Sequence, residues 1–279
     1  MEATIQHIEK ELTGLYPKTE VRAFTRLLLE HVCGLSFTEQ VLLRKQELHE
    51  RHKKAVFDAV ERLKNFEPVQ YILGETEFFG LKLKVKPGVL IPRPETEELA
   101  HWITETALPE KPAVLDIGTG SGCIALALKK QFRQAQVSAT DVSAEALEVA
   151  RENAALNALD VHFFRSDMLQ WEKLAWEKYD VVVSNPPYVR ESEKAAMFVN
   201  VLKFEPKSAL FVTDADPLLF YRKISLFAQT HLKKNGWLFF EINENLGEEM
   251  VQLLTKAGFC SIELKKDLFG KNRMIRCRR

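Results

Sequence analysis

The rhythm of apolar and polar positions along the chain changes once, near residue 67. Before it the pattern is helical: Val56, Val60 and Leu63 recur at helical spacing with charged residues between them. Ser36 followed by Glu39, just ahead of Val41-Leu42-Leu43, has the form of a capping box and predicts the start of a long third helix. Gly14, Pro17 and Gly34 punctuate the earlier helices. No titratable cluster in this stretch suggests chemistry.

Beyond Pro68 the apolar segments become short. Residues 78–85 alternate as a strand does, with Gly74 and Gly80 as turn points, which predicts a β-hairpin. Strands are then expected over 113–117, 136–140, 162–165, 180–184 and 237–242, with helices over 124–130, 144–157, 217–231 and 246–257. Such alternation implies an α/β domain: an open, mainly parallel sheet with helices on both faces. Residues 261–264 and 274–278 are expected as two last strands joined by a turn at 267–272. The resulting organisation is a helical domain over 1–66, a β-hairpin linker over 67–90 and an α/β domain over 91–279.

Composition narrows the function classes. The chain has 279 residues, enough for one large domain and a smaller one. Its 39 basic and 39 acidic side chains cancel, so no global positive field marks a nucleic-acid binder, and no stable nucleic-acid partner is expected. The stretch from Lys265 to Arg279 is locally basic and reads either as a solvated face or as a patch that meets an acidic or RNA-bearing partner. Cys33, Cys123, Cys260 and Cys277 form no CxxC pair, which fits a reducing compartment and argues against a zinc site. His49 and His52 lie in a stretch rich in Lys, Arg and Glu, and read as exposed rather than metal-binding. With neither a signal peptide nor a long apolar run, a cytoplasmic protein without a membrane span is expected.

Val114-Leu115-Asp116-Ile117-Gly118-Thr119-Gly120-Ser121-Gly122 places a glycine-rich turn directly after a buried strand. Glycines there let the backbone turn tightly and let a ligand lie against it. Asp141, at the next strand end, is suited to accept both hydroxyl hydrogens of an adenosine ribose. A dinucleotide fingerprint would need glycine where Cys123 stands. The Gly118-x-Gly120-x-Gly122 spacing therefore favours S-adenosylmethionine, with Asp116 expected to set negative charge near its ammonium and sulfonium. Ser166-Asp167-Met168 falls where the adenine would lie, with Asp167 accepting from its amine and Met168 packing on the ring.

The sharpest signal is Asn185-Pro186-Pro187-Tyr188, straight after the strand Val181-Val182-Val183-Ser184. Two prolines remove two N–H donors, so the loop presents acceptors. Asn185 Oδ1 and the Pro186 carbonyl can each take one hydrogen of a target –NH2, and Tyr188 offers a flat face to a planar amide or base. An amide nitrogen is a poor nucleophile, and holding both hydrogens orients its lone pair toward a methyl donor.

With those residues in place, the chain resembles the release factor glutamine N5-methyltransferase family. The resemblance also rests on Glu67-Pro68-Val69-Gln70-Tyr71-Ile72-Leu73-Gly74, Phe78-Phe79-Gly80-Leu81, Val89-Leu90-Ile91-Pro92-Arg93-Pro94-Glu95-Thr96-Glu97, Phe204-Glu205-Pro206 and Asp267-Leu268-Phe269-Gly270 before Arg273. It implies a Rossmann-like class I methyltransferase fold with a helical N-terminal domain that docks the protein substrate. It also implies methyl transfer from S-adenosylmethionine to the glutamine amide of the Gly-Gly-Gln loop in class I peptide chain release factors. Carried over by motif, Gly118, Thr119, Gly120, Ser121, Gly122, Asp141, Met168 and Asn185 would touch the cofactor. Asn185, Pro186, Pro187 and Tyr188 would hold the glutamine amide, and Ile91-Pro92-Arg93-Pro94 would wall the pocket. Two alternatives use similar chemistry: N6-adenine methylation of DNA or RNA, and glutamine methylation of a ribosomal protein. The balanced charge disfavours the first, and the Arg93-to-Glu97 run fits the release factor group better than the second.

Overall fold

The computed structural model describes all 279 residues, which divide into two compact units: Met1–Gly74 with Phe198–Phe204, and Glu75–Met197 with Glu205–Arg279. The first unit thus extends past the expected boundary at residue 66 and takes in a segment from far along the chain.

That unit contains α1 (Glu2–Leu12), α2 (Lys18–Cys33), α3 (Phe37–Leu42), α4 (Glu50–Lys64) and α5 (Val69–Leu73). Ile8, Leu12, Val21, Leu28, Val56, Val60 and Leu63 bury one stripe of α1, α2 and α4 against each other. Tyr16 donates its hydroxyl to the Leu63 carbonyl at 2.7 Å, closing the bundle. Ser36 and Glu39 do form a reciprocal capping box. The helix it opens is short, however, and the expected long third helix is two helices, α3 and α4. Phe37, Val41 and Leu42 stay exposed on α3 while α4 buries Val56, Ala59, Val60 and Leu63, so the two stretches do not share one apolar stripe. His49 starts the second, its Nδ1 accepting the Arg51 N–H at 3.3 Å.

In the second unit, β1 (Glu75–Phe78) and β2 (Leu81–Lys84) form an antiparallel hairpin. The hairpin is the one expected, with Gly80 at its turn: Phe79-Gly80, with φ values of 54° and 63°, divide the alternating stretch that begins at Phe78 between the two strands. Next come α6 (Pro94–Thr104), β3 (Ala113–Ile117), α7 (Cys123–Gln131), β4 (Gln136–Asp141), α8 (Ala144–Leu156), β5 (His162–Arg165) and β6 (Tyr179–Ser184). The short β7 (Val189–Arg190) precedes α9 (Val199–Phe204), which belongs to the first unit; α10 (Lys207–Leu210), β8 (Phe211–Val212), α11 (Leu219–His231) and β9 (Leu232–Glu241) follow in the second. The chain ends with α12 (Gly247–Lys256), β10 (Cys260–Lys266) and β11 (Asn272–Arg278).

Seven strands make the main sheet in the order β10-β11-β9-β6-β3-β4-β5. β5, β4, β3, β6 and β9 are parallel, and β11 runs antiparallel between β9 and β10. β3 is buried at every position, as expected of an apolar strand covered on both faces. One face carries Leu99, Ile103, Ile124, Leu126 and Leu128, the other Tyr221, Ile224, Phe227, Met250 and Leu254. Successive strands run outward in opposite directions from β3 and β6, so the crevice beyond their carboxyl ends is the topological switch point where such sheets bind ligands. No helix is long and apolar enough to cross a membrane.

Candidate active site

A cleft opens at that switch point, lined by the loops that follow β3, β4, β5 and β6 and by the segment leading into α6. The first loop turns because Gly118, Gly120 and Gly122 all hold positive φ, at 73°, 55° and 83°. The three glycines serve different ends. A side chain at Gly118 or Gly120 would meet nothing within 4 Å, so both leave open room along the cleft. A Cβ at Gly122 would come within 3.2 Å of the Ala150 Cβ, so this glycine lets α7 pack on α8. Gly122 stands outside the cleft lining, whereas Gly118, Thr119, Gly120 and Ser121 are part of it.

Hydrogen bonds fix the loop from both sides. Gly118 and Thr119 donate their N–H groups to the Thr140 carbonyl at 2.8 and 3.0 Å. Asp141 accepts from Gly120 N through Oδ2 and from Ser143 N through Oδ1, both at 2.9 Å. Each of its oxygens keeps a second lone pair, and Asp141 lines the cleft.

Asp116 departs from its expected role. It is fully buried, lies outside the cleft lining, and its Oδ2 accepts from Thr119 Oγ1 at 2.6 Å and Ala125 N at 3.2 Å. Burial pushes its carboxyl up to about 7, with Asp141 adding to the effect and the two hydrogen bonds opposing it. Asp116 braces the glycine loop from beneath rather than lending charge to a ligand.

At the third strand end, Ser166, Asp167 and Met168 all line the cleft. Asp167 caps a short 3-10 helix, accepting from Leu169 N and from Gln170 Nε2, each at 2.9 Å. Met168 is buried on the α11 side of the sheet. The Ser166 hydroxyl is buried without a hydrogen-bond partner, an orphan group of the kind a ligand satisfies.

The fourth loop begins where Ser184 Oγ donates to the Ile117 carbonyl at 2.7 Å, tying the end of β6 to the end of β3. Asn185, Pro186 and Pro187 then line the cleft, facing the same space as Gly118 and Asp141. Asn185 Nδ2 donates to Thr96 Oγ1 at 3.2 Å, which leaves Oδ1 as the end that can accept.

Tyr188 does not line this cleft. Instead of offering a face to a target, its hydroxyl donates to Glu241 Oε1 at 2.9 Å, and its ring packs among the apolar residues on the α11 side. A buried phenol needs such a partner. Burial first, and then the Glu241 charge, push its pKa well above the ordinary value.

Three residues that sequence reasoning did not single out complete the surroundings. Thr96 and Glu241 hydrogen-bond at 2.6 Å, both buried. Glu205 is buried and clamps the segment that walls the cleft, accepting from Ile91 N at 3.3 Å and pairing with Arg93. The runs at 89–97 and 204–206 contain Thr96 and Glu205, but nothing in their spacing points to the partners.

A doubly wound sheet whose cleft joins a glycine turn, a strand-end acid and an Asn-Pro-Pro loop defines a methyltransferase of class I type. Known proteins agree. A family described as Methyltransferase small domain matches residues 96–211, and one described as PrmC N-terminal domain matches residues 3–74. The chain is 46% identical to the release factor glutamine methyltransferase of Flavobacterium psychrophilum, over 95% of this chain and 94% of that one. It is 40% identical to the protein of the same name from Bacteroides thetaiotaomicron, over 98% of each. The chain belongs to the release factor glutamine methyltransferase family. Solved structures share the fold. A methyltransferase from Pyrococcus furiosus superposes with a TM-score of 0.54 at 23% identity, covering 72% of this chain and 89% of that one. The hMettl16 catalytic domain superposes with a TM-score of 0.57 at 16% identity, covering 81% and 79%.

Proposed function

We propose that this chain transfers a methyl group from S-adenosylmethionine to the side-chain amide nitrogen of a glutamine in a class I peptide chain release factor, in the cytoplasm. The observation that carries it is that Asn185, Pro186 and Pro187 share one cleft with Gly118, Gly120 and Asp141. A donor-poor, acceptor-bearing loop thus faces a glycine-lined space closed by a carboxylate. The relatives' name supplies the substrate class.

The cleft suits the cosubstrate. Open room at Gly118 and Gly120 admits a ligand against the backbone, Asp141 keeps free lone pairs for ribose hydroxyls, and the Ser166 hydroxyl awaits a partner. Thr119 and Ser121 would flank the amino-acid end, Asp167 and Met168 the adenine. S-adenosylmethionine would supply a methyl on a sulfonium: as the N–C bond forms the S–C bond breaks, the neutral thioether leaves, and the amide nitrogen gives up one of its two hydrogens as a proton to solvent.

The remaining work falls to the chain. Asn185 Oδ1 and the Pro186 carbonyl would accept the two hydrogens of the glutamine amide, orienting its nitrogen lone pair and adding electron density to it. Pro187 stiffens the loop by fixing φ. Tyr188 acts at one remove, since its hydroxyl is committed to Glu241. The glutamine is taken to be that of the Gly-Gly-Gln loop and the position N5. We assign release factor docking to the helical unit, because one glutamine side chain offers far less than the roughly 800 Å² per partner that specific protein recognition buries.

The test mixes enzyme, labelled S-adenosylmethionine and release factor, then locates the methyl group by peptide mass spectrometry. A methyl on the Gly-Gly-Gln glutamine is the expected result. Label found on RNA adenine, on a ribosomal protein or nowhere would overturn the assignment.

A further inference from the structure

An asparagine amide is nearly symmetric in shape, yet only one end of it can serve here. Rotated by half a turn about its last bond, Asn185 would aim –NH2 at a target –NH2, and two donors would face each other. Loop geometry alone does not exclude that rotation.

Thr96 removes the ambiguity. Its hydroxyl carries a single hydrogen and has two polar neighbours: Glu241 Oε2 at 2.6 Å and the Asn185 amide at 3.2 Å. Both Glu241 oxygens accept here, Oε2 from Thr96 and Oε1 from the Tyr188 hydroxyl. The Thr96 hydrogen therefore goes to Glu241, and the Thr96 oxygen is left as an acceptor. Only the –NH2 end of Asn185 satisfies it, which turns Oδ1 to the cleft.

Glu241 is surrounded by groups that donate to it or carry positive charge. Its other oxygen takes the Tyr188 hydroxyl at 2.9 Å. Arg273 lies alongside, held by Asp267 Oδ2 at 3.2 Å and by the Ile242 carbonyl at 3.4 Å. Asp267 in turn accepts the N–H groups of Phe269 and Lys271 at 3.0 Å each, which builds the turn that presents Arg273. Burial, with the Glu95 charge adding to it, raises the Glu241 pKa on balance, while Thr96, Tyr188 and the Arg273 charge act against that rise. The start of α6, the loop after β6, the end of β9 and the β10–β11 turn thus converge on one carboxylate.

We propose that Glu241, acting through Thr96, is a positioning residue that sets which end of the Asn185 amide faces the target. The inference rests on the proposed role of Asn185 in holding the glutamine amide.

The test compares Thr96→Val, Thr96→Ser, Glu241→Met and the Thr96→Val/Glu241→Met double variant in steady-state release factor methylation, with calorimetric S-adenosylmethionine titration alongside. Thr96→Val and Glu241→Met should each lower kcat by about 10- to 100-fold, by analogy with metal sites, where removing the group that orients a ligand costs that much. Cofactor affinity should stay within about threefold, since the change falls on the transition state rather than on ground-state binding. Thr96→Ser keeps the relay and should work at close to the unaltered rate. The double variant should be no slower than Thr96→Val alone, because the carboxylate acts through that hydroxyl. Unchanged kcat in Thr96→Val, failure of serine to rescue, or multiplicative losses in the double variant would each overturn the proposal. If Glu241→Met does not fold, the Val and Ser pair at position 96 still decides it. Absence of methyl transfer by the unaltered chain in the same assay would count against the functional reading itself, a separable outcome.

Discussion

The Asp141 carboxylate accepts the backbone N–H of Gly120 at 2.9 Å, so the acid after β4 holds the glycine turn after β3 in place. One side chain therefore braces the turn and, in our reading, receives the ribose. Replacing Asp141 with Ala removes both. The lost binding is made in ground and transition states alike, so KM for S-adenosylmethionine should rise more than kcat falls. Titration calorimetry showing unaltered cofactor affinity would rule out the ribose assignment.

Asn185→Ala should show the opposite split. It deletes the acceptor aimed at the target amide, and by analogy with losing one preorganised hydrogen bond kcat should drop by roughly 10²- to 10³-fold. The side chain is only partly buried and sits in a loop, so the variant should stay folded. Steady-state kinetics with release factor decide the matter: near-normal turnover would remove Asn185 from the mechanism.

These assignments were legible to different depths. β3 and β6 carry the apolar runs Ala113-Val114-Leu115 and Val181-Val182-Val183, and Gly118 and Asn185 follow the strand ends directly, so the cleft could be placed from local pattern alone. Where α4 begins could not, because no Gly or Pro lies between Leu43 and His49 to mark the break after α3. α6 is not among the expected helices, although Pro94 occupies its first helical position, where proline is well placed. Tyr188 was expected to face the target on the strength of its ring. Its hydroxyl is what places it, and the partner Glu241 stands 53 residues away. Thr96 and Glu241 are 145 residues apart, so no spacing rule could join them.

The clamp on the cleft wall invites a stability test. Glu205 is buried, while its partner Arg93 is one-third exposed. Arg93→Met would keep the aliphatic bulk and strip the buried carboxylate of its positive partner, leaving the Ile91 N–H at 3.3 Å. A buried polar group losing a partner costs about 1–3 kcal/mol, and the exposure of Arg93 argues for the lower half of that range. Urea unfolding should show the midpoint fall by a corresponding amount with the slope unchanged. No shift in the midpoint would mean that the pair contributes nothing to the fold.

Asp116 yields a prediction with a definite sign in pH. Burial raises its carboxyl from the ordinary 3.8 to about 7. Between those values the folded chain holds a proton that the unfolded chain has released. Stability changes with pH in proportion to protons bound unfolded minus protons bound folded, so the slope in this window is negative. The contribution is full below about pH 4 and is lost as pH rises through about 7. Asp116→Asn stays neutral and should lack that slope. It can keep an oxygen toward Thr119 and Ala125, the two donors that Oδ2 now serves. The stability of the unaltered chain relative to Asp116→Asn should therefore decline from about pH 4 to about pH 8, by at most about 4 kcal/mol. Paired urea titrations across that range provide the measurement. Two curves that run parallel would show that Asp116 does not titrate in the folded chain, and that an ionised carboxylate sits beneath the glycine loop at every pH examined.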